Sequence, residues 1–191
     1  MPELDQLAEI RAGASIRGKL PIDPNGNVRA IQQGDISVGG ISDNLERINY
    51  SKVERDRLQD GDVLLRSKGS PTIAVEFKET PGMTTPTIAA PAVLILRPNA
   101  NRITSRYLAW LLNSEWAQNK YSTIKTGTYI SVIPARELER VRVPLPPLAE
   151  QERICDLSDL ARRYEELVGQ YRQKVESLLV AKSISSATAD H

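Results

Sequence analysis

Cysteine and histidine are almost absent from this chain of 191 residues, and their scarcity excludes several kinds of site. Cys155 is the single cysteine, so no disulfide can form within the chain. His191 is the single histidine and lies at the extreme C-terminus, which leaves no cluster of cysteine and histidine for structural zinc. A Ser-His-Asp or Cys-His catalytic site within the fold is excluded as well, because both need an imidazole.

Long apolar runs are missing too. No segment approaches the roughly 18 consecutive apolar residues of a membrane-spanning helix. The stretch from Met1 to Ala12 is charged, and it lacks the apolar centre and the cleavage site of a secretory signal. These absences predict a soluble, cytoplasmic protein.

Glycine and proline divide the chain from Leu4 to Val143 into short elements. Runs rich in valine, isoleucine and leucine predict four strands, at residues 63–65, 73–77, 92–96 and 141–143. A helix is predicted to begin after Thr104 or Ser105, and its apolar face contains Tyr107, Leu108, Leu111, Leu112 and Trp116. We therefore expect a mixed α+β domain over residues 1–147, with this helix face packed on its sheet.

The pattern changes after the prolines at 144, 146 and 147, which disfavour helix before them, and a long helix is predicted from Leu148 to Lys182. Apolar residues recur in it at alternating steps of three and four: Ile154, Leu157, Ala161, Tyr164, Val168, Tyr171, Val175 and Leu178. This stripe is typical of a coiled coil, and a rod of about 50 Å cannot bury it alone. We expect the helix to pair with its own copy or with another chain, the alternative being a helix folded back on its own domain. Residues 183–191 are predicted to form a disordered tail.

Basic residues concentrate in the first 147 residues. Between Arg97 and Arg136, six basic side chains face one acidic side chain, and residues 66–70 and 125–131 combine lysine or arginine with glycine, serine and threonine. Such residues neutralise DNA phosphates and let backbone N–H groups approach them. The candidate DNA-binding residues are Arg66, Ser67, Lys68, Ser70, Arg102, Lys125, Thr126, Thr128, Tyr129, Ser131 and Arg136. Tyr129 is the candidate for a base or sugar contact, and an ordinary solvated surface is the alternative for the whole set.

One pattern points to catalysis instead. Asp62, followed by Glu76 and Lys78, has the order of residues found in many metal-dependent nucleases, where two carboxylates hold magnesium and a lysine helps to activate water. Three common residues with a loose gap match often by chance, and Asp62 after Gly61 is also an ordinary turn residue. A small magnesium-dependent nuclease is therefore the alternative function, and a protein-binding scaffold is a third.

Four stretches in a fixed order carry a resemblance to a known family. They are L-D-Q-L-A-E-I-R-A-G at residues 4–13, V-R-A-I-Q-Q-G-D-I at 28–36, L-Q-D-G-D-V-L-L-R-S-K-G at 58–69, and the segment 127–154, which contains V-P-L-P-P-L-A-E-Q-E-R-I. Together with the stripe that follows, they resemble the specificity subunits of type I restriction-modification systems. The last stretch is similar to the family's passage from its target recognition domain into its spacer helix.

The resemblance implies a protein that is not an enzyme and has no metal or cofactor of its own. Its partners would be double-stranded DNA, the modification subunit, which transfers the methyl group, and the restriction subunit, which cleaves DNA. Family members ordinarily carry two recognition domains and two helices, whereas this chain has one of each and resembles half of such a subunit. It is then a natural half-length protein, a truncated product or a cut piece, and we expect it to read one half-site and to form a homodimer through its helix.

Overall fold

The structure, a computed structural model, describes residues 1–16, 18, 20–82, 84–127 and 131–189, with side chains up to residue 183. The chain forms two compact units, Met1–Glu152 and Arg153–His191. Their boundary lies close to the predicted boundary after residue 147. Over the described ranges, no helix combines the length and the apolar character needed to cross a membrane.

A four-stranded antiparallel sheet forms the centre of the first unit. Its strands lie in the order β1 (Ala8–Ala12), β9 (Val93–Pro98), β6 (Val63–Arg66) and β7 (Ala74–Glu76). Arg66 at the end of β6 lies opposite Val93 at the start of β9. The loop after β6 therefore leaves the sheet at the edge where β9 begins.

A second, three-stranded sheet lies beside the first. It has the order β5 (Glu46–Ile48), β2 (Val28–Ile31) and β8 (Thr87–Ala89), in which β2 runs antiparallel to β5 and parallel to β8. The short strands β3 (Ile36–Ser37) and β4 (Gly40–Ile41) form a separate hairpin. Leu64 and Ile95 of the first sheet pack with Ile31 and Ala89 of the second in one buried cluster, so the two sheets share a core.

Four helices accompany these sheets: α1 (Val53–Asp56), α2 (Ser105–Asn113), α3 (Glu115–Ile124) and α4 (Ala135–Glu139). The predicted start of α2 is confirmed, since the Thr104 hydroxyl accepts a hydrogen bond of 3.2 Å from the Tyr107 N–H. Asn113 fixes the other end of α2 to β7 by exchanging two hydrogen bonds with the Ala74 backbone, at 2.8 and 2.7 Å. As expected, α2 packs on the sheet.

Two predictions at this level were wrong. Trp116 lies on α3 and not on the predicted helix face, because Ser114 ends α2 and caps the next helix by accepting from the Ala117 N–H at 3.3 Å. Residues 141–143 form no strand: Arg142 makes one isolated bridge to Glu3, and the prolines that follow supply no N–H groups to extend it. The three other predicted strands correspond to β6, β7 and β9.

The long helix α5 (Leu148–Ala189) begins at the predicted residue. It continues past Lys182, so the segment expected to be a disordered tail has a helical backbone as far as Ala189. The sequence after Gly169 contains neither glycine nor proline, which removes the two strongest signals that would stop a helix.

Gln151 joins the first turn of α5 to the domain that precedes it. Its side chain is fully buried and makes three hydrogen bonds. The Oε1 atom accepts from the Thr104 N–H at 2.9 Å, and the Nε2 group donates to the carbonyls of Arg102 and Pro146 at 3.0 and 2.9 Å. One side chain thus holds the starts of α2 and α5 together.

Replacing Gln151 by Ala removes these three bonds and leaves their backbone partners unpaired. At about 1 kcal/mol for each bond, we expect the free energy of unfolding to fall by about 3 kcal/mol in urea denaturation. The exposed variant Gln170→Ala on the same helix is the control and should change stability by less than about 0.5 kcal/mol. Equal effects of the two substitutions would contradict this role.

Candidate nucleic-acid interface

Two segments that are far apart in the sequence meet at the end of β6. The Gly69 N–H donates to the Ser131 carbonyl at 3.0 Å, and the Ile133 N–H donates to the Ser67 carbonyl at 2.9 Å. Between them, Lys68 forms a bridge with Val132. The two basic stretches singled out in the sequence therefore lie side by side in the fold.

Backbone hydrogen bonds also join the two described parts of the second segment. Thr126 and Val132 exchange two backbone hydrogen bonds, at 2.9 and 2.8 Å. We call residues 66–70, 125–127 and 131 the basic loop cluster. Thr128 and Tyr129, which were predicted to contact DNA, lie outside the described residues.

The cations of this cluster are held by carbonyl groups. Lys125 Nζ donates to the Gly69 carbonyl at 3.0 Å, and Arg66 Nη2 donates to the Pro71 carbonyl at 3.1 Å. The Arg66 Nε group is buried without a partner among the described residues. Burial lowers the pKa of Lys125, and the nearby charge of Arg66 lowers it further. Two positive charges thus lie close together, and no ion pair with a described carboxylate compensates them, which favours the approach of an anion.

The hydroxyl groups of the cluster divide into two kinds. Ser67 is buried, and its hydroxyl donates to the Ala92 carbonyl at 2.8 Å, so this side chain positions the loop from inside the fold. Ser70 and Thr126 are exposed, and Ser131 is partly exposed. Lys68 is also exposed. These four side chains are accessible to a ligand, whereas Ser67 is not.

The two flanking arginines lie in different places. Arg136 is exposed on α4, a short distance along the chain from Ile133. Arg102 follows the end of β9, where its Nη1 group donates to the Gln6 carbonyl at 2.8 Å. Because β9 begins beside Arg66 and ends toward Arg102, Arg102 lies at the opposite end of the sheet from the basic loop cluster.

The contacts of Asp62, Glu76 and Lys78 argue against the nuclease alternative. Asp62 is buried, and both of its carboxylate oxygens are bound by Arg97, at 2.8 Å each. Glu76 lies 3.4 Å from Lys78 in a separate pair. Among the residues that the structure describes, no group of three or more histidine, cysteine, aspartate and glutamate side chains is arranged to hold a metal. The interpretation of Asp62 as a ligand overlooked Arg97, which pairs with it from a neighbouring strand.

Sequence analysis did not single out Arg29 and Arg47, which lie opposite each other on β2 and β5. In V-R-A-I and E-R-I, each arginine is followed by residues that pack in the core. A cation within an apolar strand is an unusual combination, and this signal could have identified both positions.

Because the buried Asp62 binds Arg97 through both carboxylate oxygens, its removal should affect stability. Replacing Asp62 by Asn is expected to lower the free energy of unfolding by about 3 kcal/mol, since one partner of a buried ion pair is left behind. Glu76→Gln is the matched control and should cost less than about 1 kcal/mol, as the Lys78 side chain is mostly exposed. Urea denaturation measures both changes. A stable Asp62→Asn variant would show that the pair is not structural.

The comparisons with known proteins agree on one family. The family described as "Type I restriction modification DNA specificity domain" matches residues 1–177. A curated protein of Methanocaldococcus jannaschii, named for the specificity subunit of the type I restriction enzyme MjaX, is 37% identical over 92 residues, which are 47% of this chain and 21% of that protein.

Solved structures share the fold. The S subunit of a type I restriction-modification system from M. genitalium aligns with a TM-score of 0.56 and 17% identity, over 88% of this chain and 40% of that one. The HsdS subunit from Thermoanaerobacter tengcongensis aligns with a TM-score of 0.61 and 20% identity, over 85% of this chain and 37% of that one. The chain spans less than half the length of these relatives. Because the family match includes nearly all of its residues, the chain belongs to the family of type I restriction-modification DNA specificity domains.

Proposed function

We propose that this chain reads one half-site of a split DNA target and contacts the DNA with its basic loop cluster. The observation that carries the proposal is the pair of cations, Arg66 and Lys125, each of which donates to a backbone carbonyl and has no acidic partner among the described residues. Such a pair costs free energy in the free protein. A DNA phosphate would compensate it, and the accessible Lys68, Ser70 and Thr126 would add contacts around it.

The catalytic steps would then belong to other subunits. The chain would supply DNA recognition and a docking surface for the modification and restriction subunits, in keeping with its family. Tyr129 remains our candidate for a base or sugar contact, and Thr128 remains a candidate for contact with DNA. Arg136 would extend the contact along the DNA backbone, and Arg102 would make a separate contact at the other end of the sheet.

The apolar stripe of α5 supports a proposal about assembly. Most of its large side chains are exposed within the single chain: Leu157, Tyr164, Tyr171 and Leu178 each expose more than half of their surface. Ile154, Ala161, Val168 and Val175 complete the stripe. A stripe with this spacing is stabilised by pairing with a second helix. The proposed partner is the same stripe of a second copy, in a two-fold symmetric homodimer.

In that dimer, two identical domains would read two identical half-sites. If the helices pair antiparallel, the domains lie at opposite ends of the rod and the DNA target is an inverted repeat with an unspecified spacer. The length of the helix then sets the length of the spacer. Tyr164 and Tyr171 on the stripe need partners for their hydroxyl groups, and this requirement also suits a docking face for the modification subunit.

The DNA contact can be tested without knowing the target sequence. Lys68→Ala and Lys125→Ala should each weaken binding to a fluorescein-labelled duplex of random sequence and lower the salt slope of the affinity by about one, because each removes one phosphate contact. Fluorescence anisotropy at several salt concentrations measures both quantities. Lys174→Ala, on the exposed surface of α5, is the control and should leave them unchanged. Unchanged affinity and slope in both cluster variants would refute the assignment.

The homodimer has its own test. The wild-type chain should sediment as a dimer at tens of micromolar, and the double variant Val168→Asp/Val175→Asp should sediment as a monomer with a folded first unit, because two charges then lie within the apolar stripe. The control, Gln170→Asp/Gln173→Asp, adds the same two charges outside the stripe and should remain a dimer. A monomeric wild-type chain would assign the stripe to a different partner.

A further inference from the structure

Two arginines face each other within the three-stranded sheet. Arg29 on β2 lies directly opposite Arg47 on the antiparallel strand β5. Side chains alternate along a strand, so Arg29 shares its face with Ile31, which belongs to the core between the sheets. Like charges directly opposite each other destabilise a strand pair. Two arginines at these positions therefore stabilise the sheet less than a pair of opposite charge would.

Neither arginine has a carboxylate to compensate it. Among the described residues no ion pair involves Arg29 or Arg47, and the Nε group of each is buried without a hydrogen-bond acceptor. Burial and the charge of Arg47 lower the pKa of Arg29. A buried N–H group without an acceptor destabilises the protein, and it does so more when the group is charged. Each guanidinium group thus keeps one N–H group that no acceptor among the described residues satisfies.

The surroundings of Arg29 provide space for such an acceptor. Two open cavities, of about 220 and 130 Å³, share Arg29 and Thr80 in their walls. Three further threonines line the smaller one: Thr84, Thr85 and Thr87. The Thr87 hydroxyl accepts from Arg29 Nη2 at 2.8 Å, so it orients the guanidinium group and can donate its own proton. Glu79, the acid of the smaller cavity, lies 3.5 Å from Arg57 and is thereby paired. Asp43 and Lys78, one acid and one base, both line the larger cavity.

Arg29 also lies close to the basic loop cluster. Arg29 is near the start of β2, and Gln32 and Gln33 follow directly after its end. Both glutamines line a cavity of about 400 Å³ together with Lys68 of the cluster. At about 3.3 Å for each residue, the chain from Arg29 to these glutamines covers at most about 13 Å. Arg29 therefore lies near the cavity that Lys68 lines.

We propose that Arg29 and Arg47 together bind one phosphate group of the DNA backbone, at a second contact separate from the basic loop cluster. The inference rests on the proposed function, since it takes DNA as the ligand. Arginine suits this role because its planar guanidinium group donates two parallel hydrogen bonds to phosphate oxygens. The threonine hydroxyl groups would complete the shell around the phosphate. A phosphate contact positions the protein on DNA of any sequence, whereas it does not distinguish bases.

The test uses Arg29→Gln and Arg47→Gln in the full chain, with two labelled duplexes of unrelated random sequence. Each variant should bind both duplexes about tenfold more weakly and lower the salt slope by about one. Arg47→Gln keeps the bond between Arg29 and Thr87, so it guards against an effect of misfolding. Arg142→Gln is the matched control: it removes one charge from an exposed pair with Glu3 and should change neither quantity.

A second measurement reads the site directly. Inorganic phosphate added to the wild-type chain should shift the NMR signals of the Nε–H groups of Arg29 and Arg47, and Arg29→Gln should abolish the shift of Arg47. If the wild-type chain binds DNA while both variants keep its affinity and salt slope, the inference fails and the proposed function stands. A loss confined to one of the two duplexes would indicate base recognition and overturn the phosphate assignment. If the wild-type chain binds neither duplex, the proposed function fails, and the arginine pair loses its DNA ligand with it.

Discussion

The backbone hydrogen bonds between the loop after β6 and residues 131–133 are the constraint on which the candidate interface depends. They join Gly69 to Ser131 and Ile133 to Ser67, residues that lie far apart in the sequence of the domain. Without them, Lys125 would not reach the Gly69 carbonyl, and the two positive stretches would be unrelated parts of the surface. The strands β6 and β9 fix one side of this junction, and the helices α2 and α3 deliver the other. The core of the domain therefore acts as a frame that brings two basic loops to one edge.

A second feature of the structure is the difference between charged groups with an ionic partner and cations without one among the described residues. Where a charge serves the fold, as in the pair of Asp62 and Arg97, donors and acceptors are matched on both sides. Around Arg66 and Lys125, and again at Arg29, cations are close together, and none of these three forms an ion pair with a carboxylate that the structure describes. Such an arrangement lowers the stability of the free protein. An anionic ligand that supplies the missing acceptor would stabilise this arrangement. The family of this chain suggests that the ligand is the DNA backbone.

The sequence predicted the elements with strong local signals. Thr104 and the apolar spacing after it located α2, and the prolines before Leu148 located the start of α5. Prediction from the sequence failed where the structure depends on a contact or a cap that the local pattern does not show. Nothing near Asp62 indicates that Arg97 binds both of its oxygens, and the spacing that included Trp116 could not reveal a break at Ser114. The composition of the two basic stretches was visible in the sequence, but their contact depends on a sheet register that only the folded chain defines.

The central claim is that the basic loop cluster touches DNA, and the chemical reactivity of its lysines tests this most directly. The wild-type chain is acetylated briefly, with and without a saturating duplex, and the modification of each lysine is quantified by mass spectrometry. The account predicts that bound DNA protects Lys68 and Lys125, while Lys52 and Lys174, exposed elsewhere on the chain, react as before. Unchanged reactivity of Lys68 and Lys125 in a chain that is bound to DNA would contradict it.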